Sequence, residues 1–281
     1  MDWYLRAAEQ GHTIAQHNIG VLYYLGRSVP QDYTQAMDWL LKAAEQGYSH
    51  SQHYVGVLYG KGHGVTQDYT QAMVWYLKAA EQGHADSQCN VGFVYDIARD
   101  VPQDYVQAMI WYLKAAEQGH VTSQNNVGVL YDNGRGVPQD YAQAMVWYLK
   151  ASEQGYAISQ HNIGVLYHHG RGVPKDYAQA MAWYLKAAEK GHASSQFNIG
   201  FLYSYGRGVP QDCARAMDWY LKAAEQGHAS SQFNIGFLYR YGRGVPRSYA
   251  KAVEWYTKAA GQGNMNAKKA LESLKKMVLA T

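Results

Sequence analysis

Residues 15–47 read AQHNIGVLYYLGRSVPQDYTQAMDWLLKAAEQG. Ala15, Ile19, Leu22 and Tyr23 fall at i, i+4, i+7 and i+8, the apolar stripe of a 3.6-residue period. Gly26 is a natural left-handed stop, and Pro30 bars continuation of the helix. Asp32 then stands as an N-cap with Gln35 three residues on, a capping-box pattern that returns as Asp68/Gln71, Asp104/Gln107, Asp140/Gln143 and Asp176/Gln179. Ala36, Leu40 and Ala43 give a second apolar stripe, which runs to Gly47. The stretch therefore predicts two helices joined by a tight loop. Gly20, in the middle of the first helix, costs up to about 1 kcal/mol relative to alanine, and close approach of the two helices is the expected return.

The unit recurs without insertions. Trp occurs at 3, 39, 75, 111, 147, 183, 219 and 255, each step being 36 residues, and the Tyr23 and Gly20 columns keep the same step to Tyr239 and Gly236. A fixed period of this length is the signature of a solenoid, in which each unit buries its apolar face only against its neighbours.

Asn126–Gly155, NVGVLYDNGRGVPQDYAQAMVWYLKASEQG, carries the same pattern and resembles the Sel-1-like repeat family, relatives of the tetratricopeptide repeats, over nearly the whole chain. The resemblance implies an all-α, right-handed α/α superhelical solenoid of 36-residue helix-turn-helix repeats that binds other proteins as an adaptor or scaffold. Some cysteine-rich relatives have been linked to enzyme activity, but their cysteine pairs are missing here, so that activity is not carried over. The expected organisation is one repeat domain: an N-terminal half-repeat at 1–11, seven repeats over 12–263, and a capping helix at 264–281 with an apolar stripe of Ala267, Ala270, Leu271, Leu274 and Val278. Two departures stand out. Ala98 and Asp100 replace the two loop glycines of the third repeat, where a local distortion is expected, and the N-terminal half-repeat lacks a partner helix, suggesting truncation or a self-association edge.

The formal charge of +3 comes from 25 basic and 22 acidic residues, taken as well mixed along the chain, which predicts no nucleic-acid partner. No apolar run is long enough to span a bilayer and the N-terminus lacks a signal-peptide pattern, so no membrane partner and a cytoplasmic location are expected. Cys89 and Cys213 lie in different columns about three repeats apart, too far for a bridge, and a reducing compartment is the simpler reading.

Comparison of the copies places the candidate site. On a helical wheel, the columns of residues 14, 17, 21, 24 and 25 form a second stripe on the first helix, apart from the core stripe, and most of the variation falls there. First helices of such solenoids usually line the concave surface, so this stripe is the expected binding groove. Its most ligand-like part is Phe197, Phe201, Tyr205, Phe233, Phe237 and Tyr241, six aromatics in two adjacent repeats. The twenty-residue stretches 191–210 and 227–246 differ only at Ser204 and Arg240, in a groove-facing column where change is expected to alter partner chemistry without disturbing packing. Asn162, Asn198 and Asn234 belong to an Asn ladder that either clasps the backbone of an extended peptide or hydrogen-bonds adjacent repeats.

Other chemistry finds less support. The loop histidines His12, His84, His120, His192 and His228 follow the helix-stop glycine and suit capping or packing; His161, His168 and His169 share a helix face near Asp132 and offer a zinc-site alternative without a known spacing. The GRGVPQD loop lacks the G-K-[ST] ending of a phosphate loop. The lysines from Lys42 to Lys222 each have Glu three residues on and are expected to pair with it. The functional expectation is a non-catalytic interaction scaffold without cofactor or metal, monomeric, with a protein or peptide partner in the groove. The alternatives are a metal-dependent or hydrolytic enzyme using the His161 region, and end-to-end self-assembly through the N-terminal edge.

Overall fold

A computed structural model describes the backbone of residues 2–98 and 100–279 and the side chains of 3–98 and 100–276. Within these residues the fold is an all-α repeat of sixteen helices, with no strand. Packing groups them into two compact units, 1–147 and 148–281. The first holds α1 (Asp2–Glu9), α2 (Thr13–Leu25), α3 (Tyr33–Glu45), α4 (Ser49–Lys61), α5 (Tyr69–Glu81), α6 (Ala85–Ile97), α7 (Tyr105–Glu117), α8 (Val121–Asn133) and the start of α9 (Tyr141–Glu153). The second holds the rest of α9, then α10 (Ala157–His169), α11 (Tyr177–Glu189), α12 (Ala193–Tyr205), α13 (Cys213–Glu225), α14 (Ala229–Tyr241), α15 (Tyr249–Gly261) and α16 (Met265–Leu279). Even-numbered helices up to α14 are first helices of the repeat; odd-numbered ones are second helices.

The punctuation acts as the chemistry requires. Asp32 Oδ1 accepts the N–H groups of Thr34 and Gln35 at 2.9 and 3.0 Å, and Ser248 takes the same role before α15. The loop histidines are the N-caps of the first helices: His192 Nδ1 accepts Ser195 N–H at 3.3 Å, and His12, His84, His120 and His228 do likewise. A Cβ added at Gly200 would lie 2.7 Å from the Tyr220 ring, so α12 touches α13 where only glycine fits. Gly208, at φ +70°, is held just as closely, since an added Cβ would meet the Tyr177 carbonyl carbon at 2.7 Å.

Ala98 and Asp100 hold φ values of 55° and 56°, so the third loop keeps the left-handed turn without glycine instead of distorting. Left-handed conformation costs a non-glycine residue about 1–2 kcal/mol. Ala98→Gly with Asp100→Gly is expected to raise the urea midpoint by the equivalent of about 2 kcal/mol; no rise would mean that this loop relaxes in solution.

Successive pairs are joined by a Trp and a Gln. In the second unit, Ala216, Met217, Tyr220, Ala224, Ile235 and Leu238 form a buried cluster against which Trp255 of the next second helix packs. Several second helices also carry a cation over their indole: Lys186 Nζ lies 4.0 Å from the Trp183 ring centre and Lys222 4.2 Å from that of Trp219. This corrects the expected Lys–Glu i,i+3 pairing, because the ammonium folds back over the preceding aromatic face. In α16, Ala267 and Leu274 are buried against Tyr256 and Ala259, with Ala270 and Leu271 partly covered; Val278 lies outside the described side chains.

The buried glutamines were not anticipated. Gln196 Nε2 donates to the Ala188 carbonyl, and its Oε1 accepts from Gln226 Nε2 at 2.9 Å; Gln232 and Gln262 repeat the link at 2.7 Å. The partner column reads Gln throughout except at Lys190, which turns to the Gly155 carbonyl and leaves Gln160 Oε1 buried and unpaired. An orphaned buried acceptor costs about 1–3 kcal/mol. Lys190→Gln is therefore expected to stabilise the protein by about 1 kcal/mol in urea unfolding, and a destabilised variant would show that the lysine contact is worth more than the link.

Candidate interaction face

The tyrosines of the second helices organise the face of the first helices. Tyr184, Tyr220 and Tyr256 are about 1% exposed, and burial pushes the phenols of Tyr184 and Tyr220 far above their ordinary range and that of Tyr256 up to about 12, so each hydroxyl is neutral. Asn198 lies beside the Tyr184 hydroxyl and Asn234 beside that of Tyr220, each reaching from the following pair. All three asparagines of the ladder, Asn162, Asn198 and Asn234, are half-buried on the same column.

The expected groove stripe splits in the structure. Phe197 is half-buried against Tyr220, at 5.8 Å between ring centres, and against His228 of the next pair at 5.0 Å. Phe233 lies 5.5 Å from Tyr256 and packs on the cluster under α16. Ser204 is 7% exposed and lies beside the Tyr220 hydroxyl, which corrects the expectation that its column is free of packing constraints. Column 24 lies beside the ring of its own pair: where Tyr76 stands, Gly60 leaves it room, and an added Cβ there would be 3.3 Å from the phenol oxygen. Arg240 belongs to the same column but faces the last helix, where its Nη2 donates to Ser273 Oγ at 3.0 Å. The single difference between the two near-identical stretches thus accompanies the change of neighbour from a further pair to α16.

Two groups remain at the surface. Tyr205 and Tyr241 are each 53% exposed, and each packs 4.6 Å from the phenylalanine one turn earlier, Phe201 and Phe237. A loop arginine covers each: Arg207 lies 5.2 Å from the Phe201 ring centre and 5.8 Å from that of Tyr205, and Arg243 lies 5.4 Å from that of Phe237. These arginines were missed because they belong to the GRGVP loop shared by most copies; the usable signal was their coincidence with Phe at column 21, which elsewhere in the second unit is Val165. Next to the first group, a pocket of about 210 Å³ is lined by Val165, His168, His169, Tyr184, Phe197 and Phe201.

Charge is not evenly mixed. Residues 1–147 carry 8 Lys and Arg against 14 Asp and Glu, a formal −6, and residues 148–281 carry 17 against 8, a formal +9. Among the described residues, Asp212 pairs with Arg215 at 3.3 Å, and no carboxylate lies within ion-pair distance of Arg207 or Arg243.

The histidine region has a different construction from a metal site. His161 Nδ1 lies 2.9 Å from Ser195 Oγ, which lies 3.0 Å from His192 Nδ1. Because His192 Nδ1 also accepts the Ser195 N–H, the chain runs from His161 N–H to the serine oxygen and from the serine O–H to His192, with both rings neutral. Burial first, then the neighbouring His192 and His228, lowers the His161 pKa to about 3. Ser195 itself is fully buried. Among the described residues no three His, Cys, Asp or Glu side chains come together to hold a metal ion, which leaves the zinc alternative without a donor set. Cys89 and Cys213 are free thiols, and no described helix is long and apolar enough to cross a membrane.

Known proteins show the same architecture. The Sel1 repeat model matches residues 1–12, 13–48, 49–84, 85–120, 121–156, 157–192, 193–228 and 229–264. A protective antigen of uropathogenic Escherichia coli, solved as an SLR fold, superposes with a TM-score of 0.84 at 39% identity, covering 98% of this chain and 59% of its own. A Sel1 repeat protein from Oxalobacter formigenes gives 0.82 at 38%, covering 96% and 79%. The yeast protein Tom70, at 13% identity and 0.56, shares the fold alone, covering 95% and 54%. No curated protein matches by sequence. The chain thus spans 59% of the length of the Escherichia coli protein.

Proposed function

Because this chain belongs to the Sel1 repeat family, whose repeats tile it from residue 1 to 264, we propose that it is a non-catalytic docking scaffold whose second unit binds a peptide or protein segment. The observation that carries this reading is the pair of surface groups Phe201/Tyr205 and Phe237/Tyr241, the same apolar anchor presented twice, one repeat apart. Exposed aromatics in register are typical anchors of interfaces. Phe197, Phe233, Asn198 and Asn234 then act as the framework that fixes the register, and Arg240 ties that framework to the last helix. Support for the non-catalytic reading comes from the serines bonded to histidine, Ser51, Ser87, Ser123, Ser195 and Ser231, which are fully buried and which no substrate reaches.

The test is a peptide-library selection on the immobilised full chain and on Tyr205→Ser with Tyr241→Ser, whose exposed positions leave the core intact. A motif enriched on the parent and lost on the variant is expected. Nothing enriched, or one motif surviving on both, sinks the reading.

A further inference from the structure

The geometry points to an acidic, extended segment as the occupant of this face, with its carboxylates held by Arg207 and Arg243; this inference rests on the docking reading above and names its ligand chemistry. Each guanidinium lies over an aromatic ring, and Arg207 also lies 5.6 Å from the Tyr177 ring centre. Stacking fixes the plane of the fork, so less freedom is lost when it grips a carboxylate in two-pronged fashion. Among the described residues neither cation has a carboxylate partner, and both are exposed, in a unit of formal charge +9. Asp212, the nearest acid in sequence to Arg207, is held by its own helix cap and by Arg215, and Glu254, the nearest to Arg243, pairs with Lys258.

The spacing adds a constraint. The two arginines occupy equivalent places in successive repeats, and neighbouring packed helices lie about 8–10 Å apart. A polyproline-II-like chain brings every third side chain to one side at about 9 Å intervals. Acidic residues three apart therefore match the two forks, while an apolar side chain between them meets the Tyr205 ring or the pocket beside Phe201, whose volume of about 210 Å³ suits one aliphatic group. A single-stranded nucleic acid fits less well. It needs open ring faces for base stacking, whereas Arg207 already lies over Phe201 and Tyr205, Arg243 over Phe237 and Arg240 over Tyr241.

The test is fluorescence anisotropy of the full chain with three labelled probes of about 12 units each: a peptide with Glu at every third position among Leu and Ser, its Glu→Gln counterpart, and oligoadenylate RNA. The acidic peptide is expected to bind about tenfold or more tightly than the Gln peptide, a gap of about 1.4 kcal/mol, and to weaken as salt rises. Arg207→Gln with Arg243→Gln is expected to abolish that gap, whereas Lys186→Gln with Lys222→Gln, on the second helices, leaves it in place. Equal binding of both peptides, lost in Tyr205→Ser with Tyr241→Ser, overturns the acidic preference and keeps the docking reading. Equal weakening by both charge variants overturns the clamp in favour of diffuse attraction. Tighter binding of the RNA overturns the choice of ligand class, and no binding of either peptide at millimolar concentration overturns both readings.

Discussion

Replacing Tyr220 with alanine is expected to lower the free energy of unfolding by about 3–5 kcal/mol, the range for deleting a buried aromatic side chain. The ring is 1% exposed and sits where α12 and α13 touch at Gly200, with Phe197 against one side. No nearby backbone can close the space, because the contact at Gly200 has no side chain to move. The hydroxyl adds a separate effect. Ser204 from its own pair, itself buried, and Asn234 from the next both lie beside it, so Tyr220→Phe takes a polar neighbour from two polar side chains and is expected to cost about 1–3 kcal/mol despite filling the volume. Urea unfolding of the two variants separates volume from hydrogen bonding. A Tyr220→Ala loss below about 1 kcal/mol would show that neighbouring pairs do not depend on this ring.

Acid is expected to destabilise the protein before its carboxylates titrate. His161 has a folded pKa near 3 against an unfolded value near 6.5, so the unfolded chain binds the proton first as pH falls. Its stability contribution is complete above pH 6.5 and is lost progressively between that value and about pH 3. Between pH 7 and pH 5 this one group removes about 2 kcal/mol. His53 and His17, both lowered to about 4 chiefly by burial, act in the same direction. The histidine slot also accepts phenylalanine, as Phe197 and Phe233 show at the equivalent positions, with Ser231 still bonded to His228 at 3.0 Å. His161→Phe should therefore lower the pH sensitivity of the thermal midpoint, at the cost of one hydrogen bond to Ser195 at neutral pH. An unchanged midpoint–pH slope between pH 7 and 5 would refute the neutral His161–Ser195–His192 chain.

Much of this protein is written in one repeat. Period, helix bounds, the Asp caps and the glycine contact follow from local rules, since caps, stops and apolar stripes each involve residues a few positions apart, and Asp32 and Gly200 behave as those rules require. Lys186 shows where locality misleads: a Glu stands three residues after it and a Trp three before, and only the folded side chains reveal that the ring holds the ammonium. The charge asymmetry and the exceptional Lys190 were both readable in the letters, but the division at residue 147 and the buried partner Gln160 supply their meaning.

The repeat sequence by itself determined that paired helices stack at a 36-residue step, because that periodicity leaves each pair with an apolar face only another pair can cover. Tertiary structure alone decided which part of the second stripe is covered in turn. A helical wheel gives each side chain an angle but no neighbour, so Ser204, Tyr205, Phe197 and Phe201 look alike on it. In the fold Ser204 lies beneath the Tyr220 hydroxyl and Phe197 against the next pair, while Tyr205, one residue on, is left more than half exposed beside Arg207. Burial there depends on the size and reach of residues a repeat away, a quantity that exists only once the pairs are packed.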